Sequence, residues 1–248
     1  MNPAEHAMPA GVSGLAATVV LLREPPRGAG GVEVLLLERP RDRGSFAGGW
    51  VFPGGAVDAE DLPGAAPGSA VALLDLTPAD EEAASRRAAV RETREETGLL
   101  LREADLVTLS LWSPPAEAPK RLRTWFWLAA APTGAIVLQP HEAVDHRWLT
   151  PDAALALHAA GELRLFPPTW LTLHGLLGAA SVAEVLQGAR RSVRAEFATR
   201  IVRGADITLW PPDVAYGDAA IDMGLVDALG PRHRLEMREL PWRYLREG

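Results

Sequence analysis

Phe52-Pro53-Gly54-Gly55 and Arg91-Glu92-Thr93-Arg94-Glu95-Glu96-Thr97-Gly98-Leu99 are the two pieces of this sequence that decide its fold, although residues 56–90 separate them. On an α-helix Glu92, Glu95 and Glu96 stand at i, i+3 and i+4, so three carboxylates share one face. Like charges at that spacing destabilise a helix by roughly 0.2–0.5 kcal/mol a pair, and the helix dipole disfavours anions in a last turn by roughly 0.3–1 kcal/mol. A helix shaped by stability alone would carry lysines there. Crowded hard oxygen ligands are what Mg²⁺, Mn²⁺ or Ca²⁺ require, and Mg²⁺ in particular is shared between carboxylates and substrate phosphates. A solvated acidic face is the ordinary alternative for Glu-x-x-Glu-Glu taken alone. Three features weigh against it here: Arg91 can pair with the carboxylate at i+4, Gly98 is placed to end the helix, and a Gly-Gly turn follows the strand-like Trp50-Val51-Phe52. Two consecutive glycines let a backbone turn sharply and approach a ligand, so a main-chain carbonyl can face a metal.

Between the two pieces, Asp61 to Ser69 is rich in Pro, Gly and Ala and reads as a surface excursion. Ala70 to Leu76 is apolar, a patch that covers part of the site or packs at an interface. Thr77-Pro78-Ala79-Asp80 then supplies a capping hydroxyl, a proline at the first helical position and an acid three residues after the cap. Helix is expected from Pro78 to about Thr97, with Ala83, Ala84, Ala88 and Ala89 keeping propensity high and allowing close packing. The glutamates therefore fall at the end of a helix that keeps its own cap, and the extra residues enter ahead of it.

Working outward, Ala16–Leu22 and Val32–Glu38 read as two central strands joined by a Pro/Gly-rich loop. The second ends in a basic cluster of Arg39, Arg41 and Arg43, either a solvated loop or a place where Arg39 offers its guanidinium fork to phosphate oxygens. Leu106–Trp112 and Arg121–Ala129 are further strands, and alternation puts Arg121, Arg123, Trp125 and Trp127 on one face. Those aromatics are read as core rather than as a base-stacking platform. Ile136–Leu138 is expected to be a short strand, followed by Pro140-His141-Glu142-Ala143-Val144-Asp145-His146. The two histidines around an acid read as part of a polar loop rather than as catalysts. Pro151–Ala160, Trp170–Gly178 and Val182–Arg194 are helical by periodicity, and Ile207–Leu245 alternates turns with short strand-like pieces such as Arg234–Arg238. There is no internal repeat.

Gly55 through Leu99 resembles a Nudix box, G-x5-E-x7-R-E-U-x-E-E-x-G-U with U a bulky apolar residue. Its second half matches from Arg91 to Leu99, with Thr93 at an apolar position. In the first half Asp61 stands for the Glu, with Glu60 beside it, and 29 residues, 62–90, replace the family's seven. The insertion, in a chain reading Phe-Pro-Gly-Gly-x-Val-Asp, is similar to a long-chain branch that includes coenzyme A diphosphatases, although Arg43–Gly49 does not reproduce their usual upstream signature. The resemblance implies an α/β (α+β) Nudix fold, a mixed β-sheet sandwiched between helices. It divides the chain into a flexible leader 1–13, a core 14–160 with an insertion at 62–76, and a helical and short-strand extension 161–248 packed on the core. The implied activity is Mg²⁺-dependent hydrolysis, with Mn²⁺ as a substitute, of a diphosphate linkage in a small-molecule nucleoside diphosphate derivative such as coenzyme A, an acyl-coenzyme A, a dinucleotide or a nucleotide sugar. The metal would be held by the Gly54 carbonyl, Glu92, Glu95 and Glu96. Glu142, six residues before Trp148, takes the place of a further metal-binding or base-like carboxylate outside the box, with Asp145 as the alternative. Arg91 would orient carboxylates, pairing with Asp61 or Glu60 across the insertion, and Arg121 and Arg123 lie where related enzymes bind substrate. Which glutamate is the base stays open.

The 248 residues, 48% of them hydrophobic, suffice for one large core, and the chain has no cysteine, which excludes disulfides, a thiolate nucleophile and a cysteine zinc site. A net charge of −7 argues against a nucleic acid polymer as the main partner. Apolar runs such as Leu15–Leu22 fall far short of the roughly 20 residues that span a bilayer, and no secretory signal or peroxisomal address is visible, so a cytoplasmic location is expected. The alanine-rich insertion and the tail are compatible with a homodimer. The competing classes are a non-catalytic nucleotide-binding sensor with the same fold and a scaffold that merely carries an acidic helix. The sensor could lose its carboxylates, and the scaffold would show no response to metal.

Overall fold

A computed structural model describes residues 12–26, 30–44, 46–62, 64 and 76–247. Nearly all of the expected leader and of the 62–76 insertion, including the apolar patch from Ala70, lies outside the described residues.

The main sheet is built from β1 (Gly14–Arg23), β2 (Glu33–Glu38), β3 (Trp50–Val51), β4 (Gly54–Ala56), β5 (Val107–Ser113), β6 (Leu122–Ala130), β7 (Asp145–Leu149) and β8 (Ala195–Ala198). Its strands run in the order β3-β2-β1-β6-β5-β8, with β4 also on β1 and β7 also on β2. β1 pairs parallel with β6 and β5 parallel with β8, while the other pairs are antiparallel, so the sheet is mixed.

β1 shows why the central strands are apolar throughout rather than alternating with polar residues. Leu15, Ala17, Val19 and Leu21 belong to one core cluster and Val20 and Leu22 to another, on the opposite face. β2 and β6 divide in the same way, with Leu35, Leu37, Trp125 and Trp127 on the first face and Val34, Leu36, Phe126 and Leu128 on the second. A strand covered on both faces reads as a continuous hydrophobic run.

The first face is covered by helix α1 (Pro78–Thr97), whose Ala84, Ala88 and Ala89 are fully buried and let the helix lie close to the sheet. Thr77 caps its start by accepting from the Asp80 N–H at 3.2 Å, and Gly98 ends it in the left-handed conformation at φ 72°. The second face is covered by α2 (Pro151–Ala159), α3 (Pro167–Gly175) and α4 (Val182–Arg191), together with Trp210 and Leu235. Leu235 lies in, and Trp210 directly follows a strand of, a second, antiparallel sheet of β9 (Arg200–Val202), β10 (Ile207–Leu209), β11 (Arg232–Glu236) and β12 (Arg243–Glu247), in the order β12-β11-β10-β9. The extension is thus built into the core, and its β8 completes the main sheet.

Residues 136–138 do not form the expected strand. The Val137 N–H donates to the Thr97 carbonyl at 2.9 Å, so this extended segment satisfies an orphan carbonyl at the end of α1 instead of entering a ladder.

Candidate functional site

Three chain segments meet at the C-terminal end of α1: the end of β2, the Gly54-Gly55 turn, and the turn before β7. Gly54 lies opposite Thr18 in the β1–β4 ladder, next to a Val19 N–H to Pro53 carbonyl bond of 2.8 Å. Antiparallel alternation turns the N–H and carbonyl of such a residue away from the partner strand. The Gly54 N–H instead donates to Glu96 Oε2 at 2.8 Å. Both glycines are sterically required. A Cβ at Gly54 would lie 2.2 Å from the Ala17 carbonyl oxygen, on a backbone at φ +155°, and one at Gly55 would lie 2.4 Å from Glu92 Cδ and Oε1. The turn can therefore approach the helix, and the helix can carry glutamates against it.

The carboxylates are held by two arginines. Arg91 Nη1 donates to Glu92 Oε1 at 2.9 Å and to Glu95 Oε2 at 3.2 Å. Its Nε and Nη2 form a fork on Asp61 at 3.2 and 2.8 Å, and Nη2 also donates to the Ala56 carbonyl. Asp58 and Glu60 stand 3.6 Å away. The expected pairing across the insertion is thus made with Asp61, which is itself buried. Arg39, at the end of β2, places Nη1 2.7 Å from Glu96 Oε1 and 3.1 Å from Glu142 Oε2. Glu142 reaches this point because the Glu142 and Ala143 N–H groups close a turn on the Gln139 carbonyl and the Val144 N–H then joins the Glu38 carbonyl.

The electrostatics record the crowding. Burial pushes the Glu96 carboxyl up to about 8, with Glu92 and Glu142 adding to the rise and the Gly54 N–H and Arg39 opposing it. Burial also raises Glu92, against the pull of Arg91 and with help from Glu95 and Asp58. Burial alone would lower Arg91, but its bond to Asp61 and its nearness to Glu92 hold the guanidinium above its ordinary value. Two carboxyls raised by burial and by their acidic neighbours, facing a backbone turn, make a site short of positive charge.

Arg39, Gly54, Arg91, Glu92, Glu95, Glu96 and Glu142 are therefore brought together. Arg121 and Arg123 are not. Arg123 is buried and paired with Glu81 Oε2 at 3.2 Å, and Trp125 Nε1 donates to the other Glu81 oxygen at 2.6 Å. Glu81 precedes Glu92 by eleven residues on α1, which is about 16 Å along the axis. Arg121 immediately precedes the Leu122 that pairs with Gly14, four residues along β1 from the Thr18 that faces Gly54, a separation of about 13 Å. Arg121 and Arg123, expected to lie where related enzymes bind substrate, thus stand apart from the carboxylates, and Arg123 is engaged in a buried ion pair with Glu81. Sequence reasoning missed Glu81; its signal was an acid at the start of a helix whose later turns are alanine-rich, facing the strand that carries Arg123 and Trp125. Thr93 fills its apolar position without a penalty, because its hydroxyl donates to the Ala89 carbonyl at 2.7 Å. Among the described residues no helix is long and apolar enough to cross a membrane.

Comparison with known proteins follows the same lines. A search of curated proteins gives no match. The NUDIX domain model matches residues 13–170. Among solved structures, the chain is similar to a NUDIX hydrolase from Alicyclobacillus acidocaldarius at 23% identity and a TM-score of 0.58, covering 72% of this chain and 97% of that one. It also matches a MutT NUDIX hydrolase from Burkholderia pseudomallei at 22% identity and a TM-score of 0.44, over 64% and 95% of the two chains. With a family match over well over half its length, and the mixed sheet and the Arg91–Leu99 helix end in place, the chain belongs to the Nudix family of hydrolases.

Proposed function

We propose that this protein is a divalent-cation-dependent hydrolase that cleaves the diphosphate linkage of a nucleoside diphosphate derivative. The observation that carries the reading is the contact of the Gly54 turn with Glu96, beside Glu92 and Glu95 on the same helix end. The donor set fits a hard cation: every candidate ligand is an oxygen, and the raised carboxyls of Glu92 and Glu96 would be relieved by one. Among the described residues no three acidic or histidine side chains converge on one point as they stand, since Arg39 and Arg91 occupy their oxygens. Holding a cation therefore calls for the carboxylates to turn from these arginines toward the ion.

Glu92, Glu95 and Glu96, with the Gly54 carbonyl and Glu142, would hold Mg²⁺, or Mn²⁺ in its stead. Bound there, the ion would lower the pKa of a water and offset the charge of the diphosphate. This chain's own residues supply orientation. Arg91 spans Asp61, Glu92 and Glu95 and so fixes the directions of two of the carboxylates. Without a cation Glu96 is held between the Gly54 N–H and Arg39, and in the loaded site it or a neighbouring glutamate would take the proton of the attacking water. The partner is a small-molecule diphosphate. Coenzyme A and its thioesters, dinucleotides and nucleotide sugars all contain the scissile linkage.

The test is formation of the phosphomonoester products, read by chromatography, from coenzyme A, acyl-coenzyme A, NADH, ADP-ribose, nucleotide sugars and nucleoside triphosphates, with and without Mg²⁺. Turnover of one class that requires the ion and disappears in Glu96→Gln supports the proposal. Full activity in Glu96→Gln refutes it. Nucleotide binding with no turnover in any class supports the second reading, a sensor, against which the retention of all three box glutamates counts.

A further inference from the structure

Arg39 belongs to a basic cluster, yet it behaves differently from its neighbours. Arg41 pairs with Glu38 and Arg43 with Asp42, both at the surface. Arg39 turns inward and puts one nitrogen, Nη1, between oxygens of two carboxylates that come from different parts of the chain, Glu96 on α1 and Glu142 on the turn before β7. The other Glu96 oxygen already accepts from the Gly54 N–H, so Oε1 is the oxygen that Glu96 has left for a ligand. Arg39 therefore sits at the oxygens that a cation would need.

We propose that Arg39 is an internal counter-cation that holds Glu96 and Glu142 together and is exchanged for the divalent ion, which releases its guanidinium to the phosphates of the substrate. This rests on the hydrolase reading above and adds an order of events to it. A guanidinium and a divalent ion on the same carboxylate oxygen repel each other strongly at such short range, so loading of the site expels the side chain. The backbone need not move. The Arg39 N–H is fixed to the Gly49 carbonyl at 2.9 Å, and the Gly48 N–H to the Pro40 carbonyl at 3.2 Å, so the exchange is a rotation of one long side chain at the site's rim. That side chain is 19% exposed and Glu142 is 38% exposed, which leaves a solvent-side path out. Once expelled, a planar fork of donors lies beside the ion with no carboxylate to satisfy it, and a phosphate group suits it. Ion and phosphate then favour each other's binding, because each draws the same arginine away from the closed arrangement.

The experiment uses the full chain and Mn²⁺ alone, with no nucleotide. Phenylglyoxal labelling of the wild-type protein, read by peptide mass spectrometry, reports the reactivity of each arginine. Saturating Mn²⁺ should raise the labelling rate of Arg39 several-fold and leave Arg41 and Arg43 unchanged. In calorimetry Arg39→Gln should bind Mn²⁺ about tenfold or more tighter than wild type, as expected when a competing positive charge is removed, with Arg39→Lys between the two. If Mn²⁺ binds but Arg39 labelling is unchanged or falls, the exchange is overturned and the hydrolase reading stands. If the wild-type protein binds no Mn²⁺ at millimolar concentration, both are overturned.

Discussion

Replacing Glu96 by Gln tests the electrostatic account of the site apart from catalysis. Glu96 is 1% exposed and its carboxyl is raised from the usual 4.5 to about 8, by burial first and by Glu92 and Glu142 second. Because the folded chain holds this proton to a higher pH than the unfolded chain does, the folded state binds more protons between those two values. Stability must then fall as pH rises through that window. From pH 5 to pH 9 the difference in bound protons, summed over roughly three pH units at 1.36 kcal/mol each, amounts to about 4 kcal/mol. Gln keeps an oxygen for the Gly54 N–H and carries no charge, so it does not titrate. In EDTA, denaturant unfolding at pH 5, 7 and 9 should show the wild type losing stability relative to Glu96→Gln by an amount of that order. A saturating divalent ion should remove the difference in slope. Parallel pH profiles for the two proteins in EDTA would refute the picture of a carboxylate strained by its neighbours.

Four further outcomes separate the parts of the site from one another and from its surroundings. Gly55→Ala places a methyl 2.4 Å from the Glu92 carboxylate, whose side chain can turn aside; Mn²⁺ affinity should fall about tenfold or more while the melting temperature moves by only about 3 °C or less. Gly54→Ala instead meets the Ala17 carbonyl at 2.2 Å on a strained backbone, and should destabilise by about 2–3 kcal/mol in denaturant titration. Arg91→Met leaves Asp61 buried without its fork and should lower stability by about 3–5 kcal/mol, read in the same titration. Arg123→Met should lower stability by a similar 3–5 kcal/mol through the stranded Glu81, while the kcat/KM of the folded fraction stays at the wild-type value. A loss of kcat/KM there would restore Arg123 to the site.

The helix that carries the carboxylates was legible to its last residue because its ends are written in local chemistry: Thr77 and Pro78 at one end and Gly98 at the other. The Gly54–Glu96 contact could be expected from the two motif halves alone, since the glycines and glutamates make sense only as neighbours. What local reading could not reach was pairing decided by the rest of the fold. Residues 136–138 look like a strand, but the nearest unsatisfied partner is a helix carbonyl. Arg123 looks like a ligand for phosphate until the buried Glu81 is seen opposite it. The parallel pairing of Ala195–Ala198 with β5 has no sequence signal near either strand, because it is set by how α2 to α4 return the chain across the sheet.

That last pairing has a consequence for how the chain is made. Ser110 lies beside Ala195, 85 residues later in the sequence, and Trp112 stacks on Phe197 at 4.0 Å. On a ribosome working at roughly 5–20 residues per second, the outer edge of β5 would wait about 4–17 s for its neighbour to be synthesised. During that time it presents open backbone donors and acceptors and an uncovered indole, the features that invite pairing with another chain. A fragment stopped at residue 170, where the family match ends, would keep that edge open for good. The extension therefore covers the edge of β5 and moves the open edge of the sheet to β8, a strand of only four residues, the short kind of edge that resists pairing with another chain.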